Sequence, residues 1–482
     1  MNDKKILLIN PRVDYRPQPP LGLLYVAKRL EEKGYTVSLY DPVHGDNEAE
    51  FVSFFKEQNA FAVGITCLTA QENKLLYYAG LCKKLDPSVK VIAGGVHPTL
   101  IPERLISEPS VDVVVYGEGE ETAPELFDAI RSGGSLSGVR GIGFKKDGVP
   151  VITPARELIT DLDALSFPSR HLLNIKWYTK RLSLIRGQWV KATTLIATRG
   201  CPYQCIFCSS HKIFGRKVRF RSPANVVAEI KELRAAYGLE AVLFADDTLT
   251  IKKDWLIEMC AILKKECPGI SWACQGRIET LDEEMLKAMV AAGCLQIEFG
   301  VESGSQKVLN ALKKHQTVEQ IRETFKLCKK LGIRDMANFI IGSPGETQED
   351  IEQTRMLARE IDADCTEFFI LTPYPGTELH DMATQNNWLI PGEAFYGRES
   401  KKPIMSINFK PEELVEMRKK LWEENLKNIW QDYLLDARFL LDVALFTLKN
   451  PVYILRYLRV LAREKSLAEL GRYINEEYSR MG

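Results

Sequence analysis

The sequence predicts an α/β protein with two parallel sheets and a helical C-terminal region. Short continuous apolar runs, typical of strands that are buried on both faces, alternate with helical patterns along most of the chain. The first series of these runs predicts a doubly wound parallel sheet. The second series has six strand–helix units, too few for a closed eight-unit barrel, and therefore predicts a partial (β/α)6 barrel that resembles a TIM barrel.

The first sheet is predicted within residues 1–135. Its strands are the runs KKILLIN, TVSLYD, FAVGITCL, KVIAGGV and DVVVYGEG. The segment LGLLYVAKRLEEKGY predicts a helix that Gly34 closes. Such sheets bind ligands at the C-terminal ends of their strands, where loops rich in Gly or Pro allow close approach to the backbone. The candidate binding residues in these loops are Gly94, Gly95, His97 and Gly117.

Residues 136–190 break this rhythm and are predicted to link the two series. The stretch GGSLSGVRGIGFKKDGVPVITP predicts a hairpin that turns at Asp147 and Gly148. The partial barrel is predicted within residues 191–395. Its strands are TTLIATR, AVLFADD, SWACQGR, LQIEFGVES, MANFIIGSPGE and CTEFFILTPYPG.

The tail, residues 396–482, is predicted to be helical. PEELVEMRKKLWEENLKNIWQDYLL carries an apolar stripe at helical spacing. The more apolar segment Phe439–Leu461 has two interpretations: a helix packed on the barrel, or an interfacial helix that contacts a membrane peripherally and presents a lipid-like substrate.

Composition excludes several classes of protein. Lys plus Arg and Asp plus Glu number 64 each, so no global charge draws the chain to nucleic acid. No stretch reaches the roughly 18 apolar residues that span a bilayer, and the first residues lack the pattern of a signal peptide. We therefore expect a cytoplasmic protein with reduced thiols, and its 11 cysteines argue against a disulfide framework.

Three cysteines stand close together in RGCPYQCIFCSS, just after the first strand of the barrel series: Cys201, Cys205 and Cys208. Thiolates are soft ligands that select zinc or iron–sulfur clusters. A structural zinc site needs four ligands, and His211 is the one local candidate for the fourth. A 4Fe–4S cluster held by three cysteines leaves one iron open to a substrate. Three unrelated core thiols fit poorly with a polar loop at a strand end.

This CxxxCxxC pattern and the strand series around it resemble the radical S-adenosylmethionine (SAM) family. The resemblance implies that Cys201, Cys205 and Cys208 hold a 4Fe–4S cluster whose open iron binds SAM. An electron from a donor such as a flavodoxin or ferredoxin then cleaves SAM to a 5′-deoxyadenosyl radical. Further SAM contacts implied by the resemblance are Phe207 and Ile341 (adenine), Asp246 and Asp247 (methionine ammonium), Arg277 (methionine carboxylate), and Glu298 or, preferably, Glu302 (ribose).

The first series resembles the Rossmann-like cobalamin-binding domain that precedes many radical SAM modules, through PPLGLLYVAKRLEEKGY, AGGVHPTLIPE and VVVYGEGEET. The Asp-x-His-x-x-Gly signature of cobalamin mutases is broken here, so we expect His44 not to ligate cobalt. His97 is expected to pack or cap its turn, with a cobalt-facing role as the alternative. Only Cys67 and Cys82 lie in this part of the chain, too few for the second cluster of methylthiotransferases.

Taken together, the resemblance implies a radical SAM enzyme that methylates an unactivated carbon of a small-molecule or lipid-like substrate, with cobalamin as methyl carrier. One alternative keeps both cofactors but cyclises, rearranges or oxidises its substrate without methyl transfer. An alternative of another class is a zinc-stabilised binding scaffold.

Overall fold

The computed structural model describes residues 4–13, 18–179, 181–182, 184–392, 402–425 and 437–449. Seven strands form the first sheet: β1 (Lys5–Ile9), β2 (Thr36–Tyr40), β3 (Ala62–Thr66), β4 (Lys90–Gly94), β5 (Val113–Val115), β6 (Ile142–Lys146) and β7 (Val149–Ile152). Their spatial order is β2-β1-β3-β4-β5-β6-β7, with β1 to β5 parallel and β6 and β7 antiparallel. The order of the parallel strands reverses between β1 and β3, where doubly wound sheets form their ligand crevice.

Helices cover both faces of this sheet, as predicted. They are α1 (Leu21–Glu32), α2 (Glu48–Gln58), α3 (Glu72–Leu85), α4 (Val96–Leu100), α5 (Pro102–Ile106) and α6 (Gly119–Ser132). Side chains of α2 and α3 form one apolar core with the sheet, and side chains of α1 and α6 form the other. Strands with a core on each face need apolar residues at every position, which explains their unbroken apolar runs.

The second sheet is the predicted partial barrel. Its strands and those of a small ribbon are β8 (Arg181–Leu182), β9 (Val190–Leu195), β10 (Thr198–Arg199), β11 (Arg219–Phe220), β12 (Ala241–Phe244), β13 (Ser271–Gly276), β14 (Cys294–Glu302), β15 (Arg334–Ile341) and β16 (Cys365–Ile370). The spatial order is β8-β9-β12-β13-β14-β15-β16, and β10 pairs with β11 as a separate antiparallel ribbon. The six strands from β9 to β16 are parallel and follow chain order, as strand–helix units of an open barrel should.

The remaining helices are α7 (Ile175–Thr179), α8 (Ser210–Phe214), α9 (Pro223–Tyr237), α10 (Lys253–Glu266), α11 (Glu283–Ala291), α12 (Gln306–Ala311), α13 (Val318–Leu331), α14 (Gln348–Ile361), α15 (Glu378–Gln385), α16 (Pro411–Glu424) and α17 (Ala437–Lys449). The main core of this part lies between the sheet and the helices that cover its outer face. Two helices, α9 and α13, end at glycines in the left-handed conformation, as predicted.

The predicted linker joins both parts of the chain through its own strands. Its hairpin turns at Asp147 and Gly148, which both have positive φ, and continues the first sheet alongside β5. Near the other end of the linker, β8 pairs with β9 in the second sheet. The segment 136–190 therefore contributes strands to both sheets.

The helical tail is described in part. Helix α16 packs Leu414 and Leu421 onto the barrel core. Helix α17 covers the start of the predicted apolar segment and exposes Leu441 and Leu448, whereas residues 426–436 and 450–482 lie outside the described residues. No described helix is both long and apolar enough to cross a bilayer.

Candidate active site

A cavity of about 410 Å³ opens at the C-terminal ends of the barrel strands. Eight of the residues predicted from the sequence as site candidates or as a fourth zinc ligand lie in its wall together with Glu298: Cys201, Cys205, Phe207, Cys208, His211, Asp247, Arg277 and Glu302. These residues come from four different segments of the chain. Their convergence makes this cavity the candidate active site.

The cysteine loop is the connection between the two strands of the small ribbon, β10 and β11. Gly200 opens the loop with φ of +102°, and a Cβ there would lie 2.7 Å from the carbonyl oxygen of Lys217. The amide of Cys201 donates to the carbonyl of Gly215 at 3.2 Å, which closes the loop on itself. Glycine at position 200, just before the first cysteine, is therefore required by the backbone path.

Two of the three thiols receive hydrogen bonds in the cavity. Thr248 Oγ1 donates to Cys201 Sγ at 3.2 Å, and Arg277 Nη1 donates to Cys205 Sγ at 3.8 Å. Cys201 and Cys205 are buried, and Cys208 is half-buried. Side-chain donors are therefore aimed at two of the three sulfurs.

The donor set is compatible with an iron–sulfur cluster. Among the described residues, which include His211, no three or more His, Cys, Asp or Glu side chains converge on one point as ligands of a single ion do. A structural zinc site needs that convergence, whereas a cluster takes each thiolate at a different iron. Three thiols that line one cavity, two of them with side-chain donors to their sulfurs, are compatible with the cluster.

Arg277 lies between the cysteine loop and the strands. Its guanidinium stacks on Tyr203 at 3.5 Å from the ring centre and donates to Glu279 and to the carbonyl oxygen of Lys314, each at 2.5 Å. Glu279 and the other partners keep the pKa of Arg277 above its ordinary value despite burial. The guanidinium is therefore a fixed positive charge in the cavity wall.

Sequence reasoning missed Lys314, whose ammonium lies 2.5 Å from Glu302 in a buried ion pair. Glu302 has φ of +65° and follows an irregularity in the register of β14. A Cβ on Gly300 would lie 2.4 Å from the Glu302 carboxylate, so glycine makes room for the pair. No motif marked Lys314, and only the fold brings it next to Glu302.

The two adjacent aspartates point to different places. Asp247 lines the cavity and accepts a hydrogen bond from Ser210 in α8. Asp247 is open to the cavity, although the surrounding walls exclude enough water to raise its pKa. Asp246 is buried outside the cavity wall, where it accepts hydrogen bonds from the amide of Ala197 at 3.0 Å and the hydroxyl of Thr198 at 2.7 Å.

Burial raises the pKa of Asp246 to about 7. Its bonds hold the turn between β9 and β10, just before the cysteine loop. The Asp246 carboxylate therefore fixes the base of the loop and does not line the cavity, so its contact with a ligand stays a prediction.

A similar one-residue difference is found on β15. Ile341 is fully buried in the core on the outer face of the sheet, whereas its neighbour Ile340 lines the cavity. Side chains alternate between the faces of a strand, so only one of the two can reach a ligand inside the barrel. Ile340 is therefore a further candidate for the adenine contact, and the contact predicted for Ile341 stays a prediction.

The first-sheet candidates form their own cluster at the ends of β4 and β5. Gly95 has φ of +105°, and a Cβ there would lie 2.9 Å from Thr66 Oγ1. Thr99 Oγ1 donates to the carbonyl of Gly95 at 2.7 Å and accepts from the amide of Gly117 at 3.0 Å. Gly94 ends β4 and accepts from the amide of Cys67.

The two histidines of this part differ in exposure. His97 is buried, with Nε2 3.0 Å from Glu72 Oε2 and no partner for Nδ1 among the described residues. His44 is exposed on the loop after β2. Neither histidine lines the barrel cavity.

The first-sheet loops face the barrel mouth. Helix α4 packs against α8, the short helix that follows the last cysteine. Leu100 at the end of α4 contacts Gly376, where a Cβ would lie 3.1 Å from the leucine side chain. The strand ends of both sheets, with their candidate residues, therefore meet at one interface.

Comparisons with known proteins agree with this arrangement. The family model described as the radical SAM superfamily matches residues 195–358, and the model described as a B12 binding domain matches residues 12–127. An uncharacterized methyltransferase of Pyrococcus horikoshii, PH0819, is 36% identical over 399 residues, covering 81% of this chain and 85% of that protein. The anaerobic magnesium-protoporphyrin IX monomethyl ester cyclase of Rubrivivax gelatinosus is 31% identical over 373 residues, covering 75% of this chain and 65% of the cyclase.

A solved structure shares the fold over nearly the whole chain. The cobalamin-dependent S-adenosylmethionine radical enzyme OxsB, solved with aqua-cobalamin and S-adenosylmethionine bound, superposes with a TM-score of 0.73 at 18% identity. The match covers 99% of this chain and 75% of that one. The combination of a doubly wound sheet and a partial barrel is therefore an architecture already known from experiment.

Proposed function

This chain belongs to the family of cobalamin-dependent radical SAM enzymes, and on that premise we propose that it methylates an unactivated carbon of a small-molecule substrate. The relative named a methyltransferase, which matches 81% of the chain at 36% identity, supports methyl transfer. The proposal depends on the contact between the strand ends of the first sheet and those of the partial barrel. Methyl transfer between two cofactors requires both sites to face one substrate.

The cysteine loop supplies the ligands of one site. Cys201, Cys205 and Cys208 would hold a 4Fe–4S cluster, which when bound supplies an open iron for SAM and the electron that cleaves it. Arg277 offers a fixed positive charge for the methionine carboxylate, and Asp247 offers a carboxylate for the ammonium group. Their separation on two strands would orient the methionine across the cavity.

The remaining cavity wall suits the nucleoside. Glu302, held by Lys314, offers carboxylate oxygens to the ribose hydroxyls. Phe207 and Ile340 provide apolar surface for the adenine ring. In the first sheet, the glycine-lined loops around Gly95 and Gly117 would hold cobalamin, which serves as the methyl carrier.

Anaerobic reconstitution with iron, sulfide and reductant tests the first part of this proposal. The wild-type protein should gain about four irons per chain and the broad visible absorbance of thiolate-to-iron charge transfer, and should release 5′-deoxyadenosine from SAM. Cys205→Ser should abolish both. Cys260→Ser, which changes a buried cysteine of α10, serves as the matched control and should retain both.

The similarity to a cyclase supports a second candidate, in which the same cofactors act without methyl transfer. SAM that carries a deuterated methyl group distinguishes the two. Methyl transfer should form S-adenosylhomocysteine alongside 5′-deoxyadenosine and place the label in a small-molecule product. A cyclase should release 5′-deoxyadenosine with no S-adenosylhomocysteine, and that result would exclude methylation.

A further inference from the structure

Four buried charges join the two cofactor-binding parts of the chain. Glu118 and Glu120 follow β5 of the first sheet, and Arg199 and Arg219 pair with each other across the ribbon β10–β11. All four side chains are at most 5% exposed. We name this group the charge clamp.

Every charge in the charge clamp has a partner in the other part of the chain. Glu118 Oε1 accepts from Arg199 Nη1 and from Arg219 Nη1, both at 2.9 Å. Glu120 Oε1 accepts from Arg199 Nη2 at 2.5 Å. The two arginines would repel each other across the ribbon, so the two glutamates are needed to balance them.

The segment between the two sheets also contacts the charge clamp, through the backbone of Ile159. The amide of Ile159 donates to Glu118 Oε2 at 2.7 Å, and its carbonyl accepts from Arg219 at 2.6 Å. The guanidinium of Arg199 lies over the rings of Tyr25 in α1 and Phe214 in α8, at 5.3 and 5.8 Å. First sheet, linker and cysteine loop are thus fixed at one point.

The charge clamp lies between the two candidate cofactor sites. On one side, Arg199 and Arg219 stand at the two ends of the loop that carries the cysteines. On the other side, Glu118 follows Gly117, whose amide donates to Thr99 in α4, the short helix after β4. A shift of either loop would therefore move a buried charge away from its partner, which is energetically costly.

We propose that the charge clamp sets the relative position of the two cofactor sites and couples their occupancy, with Glu118 as its central positioning residue. This inference rests on the proposed function, because it assumes that both cofactors bind. Coupling between two binding sites is reciprocal, so the factor by which SAM at the barrel changes the affinity for cobalamin equals the factor by which cobalamin changes the affinity for SAM.

The test compares the affinity of the cluster-loaded protein for hydroxocobalamin, followed by visible absorbance, with and without SAM. We expect SAM to change the dissociation constant of the wild type by about fivefold or more, the usual lower range of such coupling. In Glu118→Gln each cofactor should still bind. The dissociation constants of this variant for hydroxocobalamin, with and without SAM, should differ by no more than about twofold. Glu121→Gln, an exposed neighbour that pairs with Arg29, is the matched control and should keep the wild-type ratio.

A double variant separates positioning from folding. Glu118→Gln with Arg219→Gln removes one charge of each sign, so it should unfold near the wild-type temperature. Because only the Arg199–Glu120 link remains, its ratio should stay reduced. The proposal is overturned if SAM leaves the cobalamin dissociation constant of the wild type unchanged. It is also overturned if either variant shows the same ratio of constants, with and without SAM, as the wild type. Failure of the wild type to bind cobalamin or SAM would instead count against the proposed function.

Discussion

The guanidinium of Arg277 donates to the sulfur of Cys205 from 3.8 Å while it stacks on Tyr203, two residues before that cysteine. The same guanidinium is fixed from behind by Glu279 and by the carbonyl of Lys314. One side chain therefore holds the cysteine loop against the barrel and places a positive charge at a sulfur. Hydrogen bonds to cluster sulfurs are one means by which proteins tune reduction potential.

We predict that Arg277→Lys lowers the reduction potential of the reconstituted cluster. Lysine keeps the charge but cannot reach the sulfur, Glu279 and the Lys314 carbonyl at once, because it lacks the planar fork. The loss of one net hydrogen bond of roughly 1 kcal/mol corresponds to about 40 mV for one electron. A redox titration followed by electron paramagnetic resonance measures it, with Arg234→Lys on α9 as control; equal potentials in both variants would refute the role of Arg277.

A second prediction concerns the start of the cysteine loop. Gly200→Ala should prevent cluster assembly, since the added Cβ meets three backbone carbonyls, those of Lys217, Gly215 and Phe214, at 2.7 to 3.2 Å. Backbone atoms cannot move aside as a flexible side chain can. Gly238→Ala is the matched control, because Gly238 also has positive φ but open space around its Cα.

The control should cost about 1 kcal/mol of stability and leave iron and sulfide content unchanged. Metal analysis after anaerobic reconstitution decides between these outcomes. Full cluster content in Gly200→Ala would show that the loop path tolerates a side chain.

The pattern of apolar runs was sufficient to predict nearly every strand, because buried parallel strands cannot hide polar residues on either face. The hairpin at Asp147 and Gly148 was also predictable from its turn chemistry. Its place in the first sheet was not, since a turn determines which strands pair with each other and not which edge they join. That information lies in contacts between β5 and β6, far apart in sequence.

At some positions of the candidate site, the sequence indicated the residue next to the one that lines the cavity. Asp246, Asp247 and Ile341 were all expected to face the ligand, but of these three only Asp247 lines the cavity, together with Ile340. Side chains alternate along an extended chain, so an error of one position moves a residue to the opposite face. Lys314 belongs to no motif, and its contact with Glu302 exists only in the folded chain.

The third prediction is that Glu346 makes the stability of the folded protein depend on pH. This carboxyl is 1% exposed and accepts hydrogen bonds from the amides of Gly342 and Ser343, and burial raises its pKa to about 7. The folded state thus holds a proton that the unfolded state releases near pH 4.5. Stability should therefore fall as pH rises from about 4.5 to 7 and stay lower above it.

Glu346→Gln keeps the acceptor for both amides and removes the titration. Between pH 5 and pH 8, the free energy of unfolding of the wild type should fall by on the order of 2 kcal/mol more than that of this variant. Urea unfolding at the two pH values measures the difference. Glu349→Gln, on the exposed first turn of α14, should follow the wild type. An identical pH dependence in Glu346→Gln and the wild type would contradict the assignment.

The final prediction is that His97 does not ligate cobalt. Its side chain is 1% exposed, its Nε2 lies 3.0 Å from Glu72, and its backbone amide donates to Cys67, so the ring is packed into the first sheet. The hydrogen bond from His97 lowers the pKa of Glu72, which keeps that carboxylate charged and the ring engaged. To bind cobalt, the ring would have to give up its hydrogen bond with the half-buried Glu72, which is energetically costly.

His97→Gln should therefore lower stability by about 1–3 kcal/mol, as expected for a lost buried hydrogen bond, without changing how cobalamin is held. The paramagnetic form of bound cobalamin reports this directly, because a histidine ligand adds a nitrogen splitting to its electron paramagnetic resonance spectrum. The spectra of the wild type, His97→Gln and the exposed control His44→Gln should superimpose. A nitrogen splitting that is present in the wild type and lost only in His97→Gln would show that the ring turns away from Glu72 to the metal.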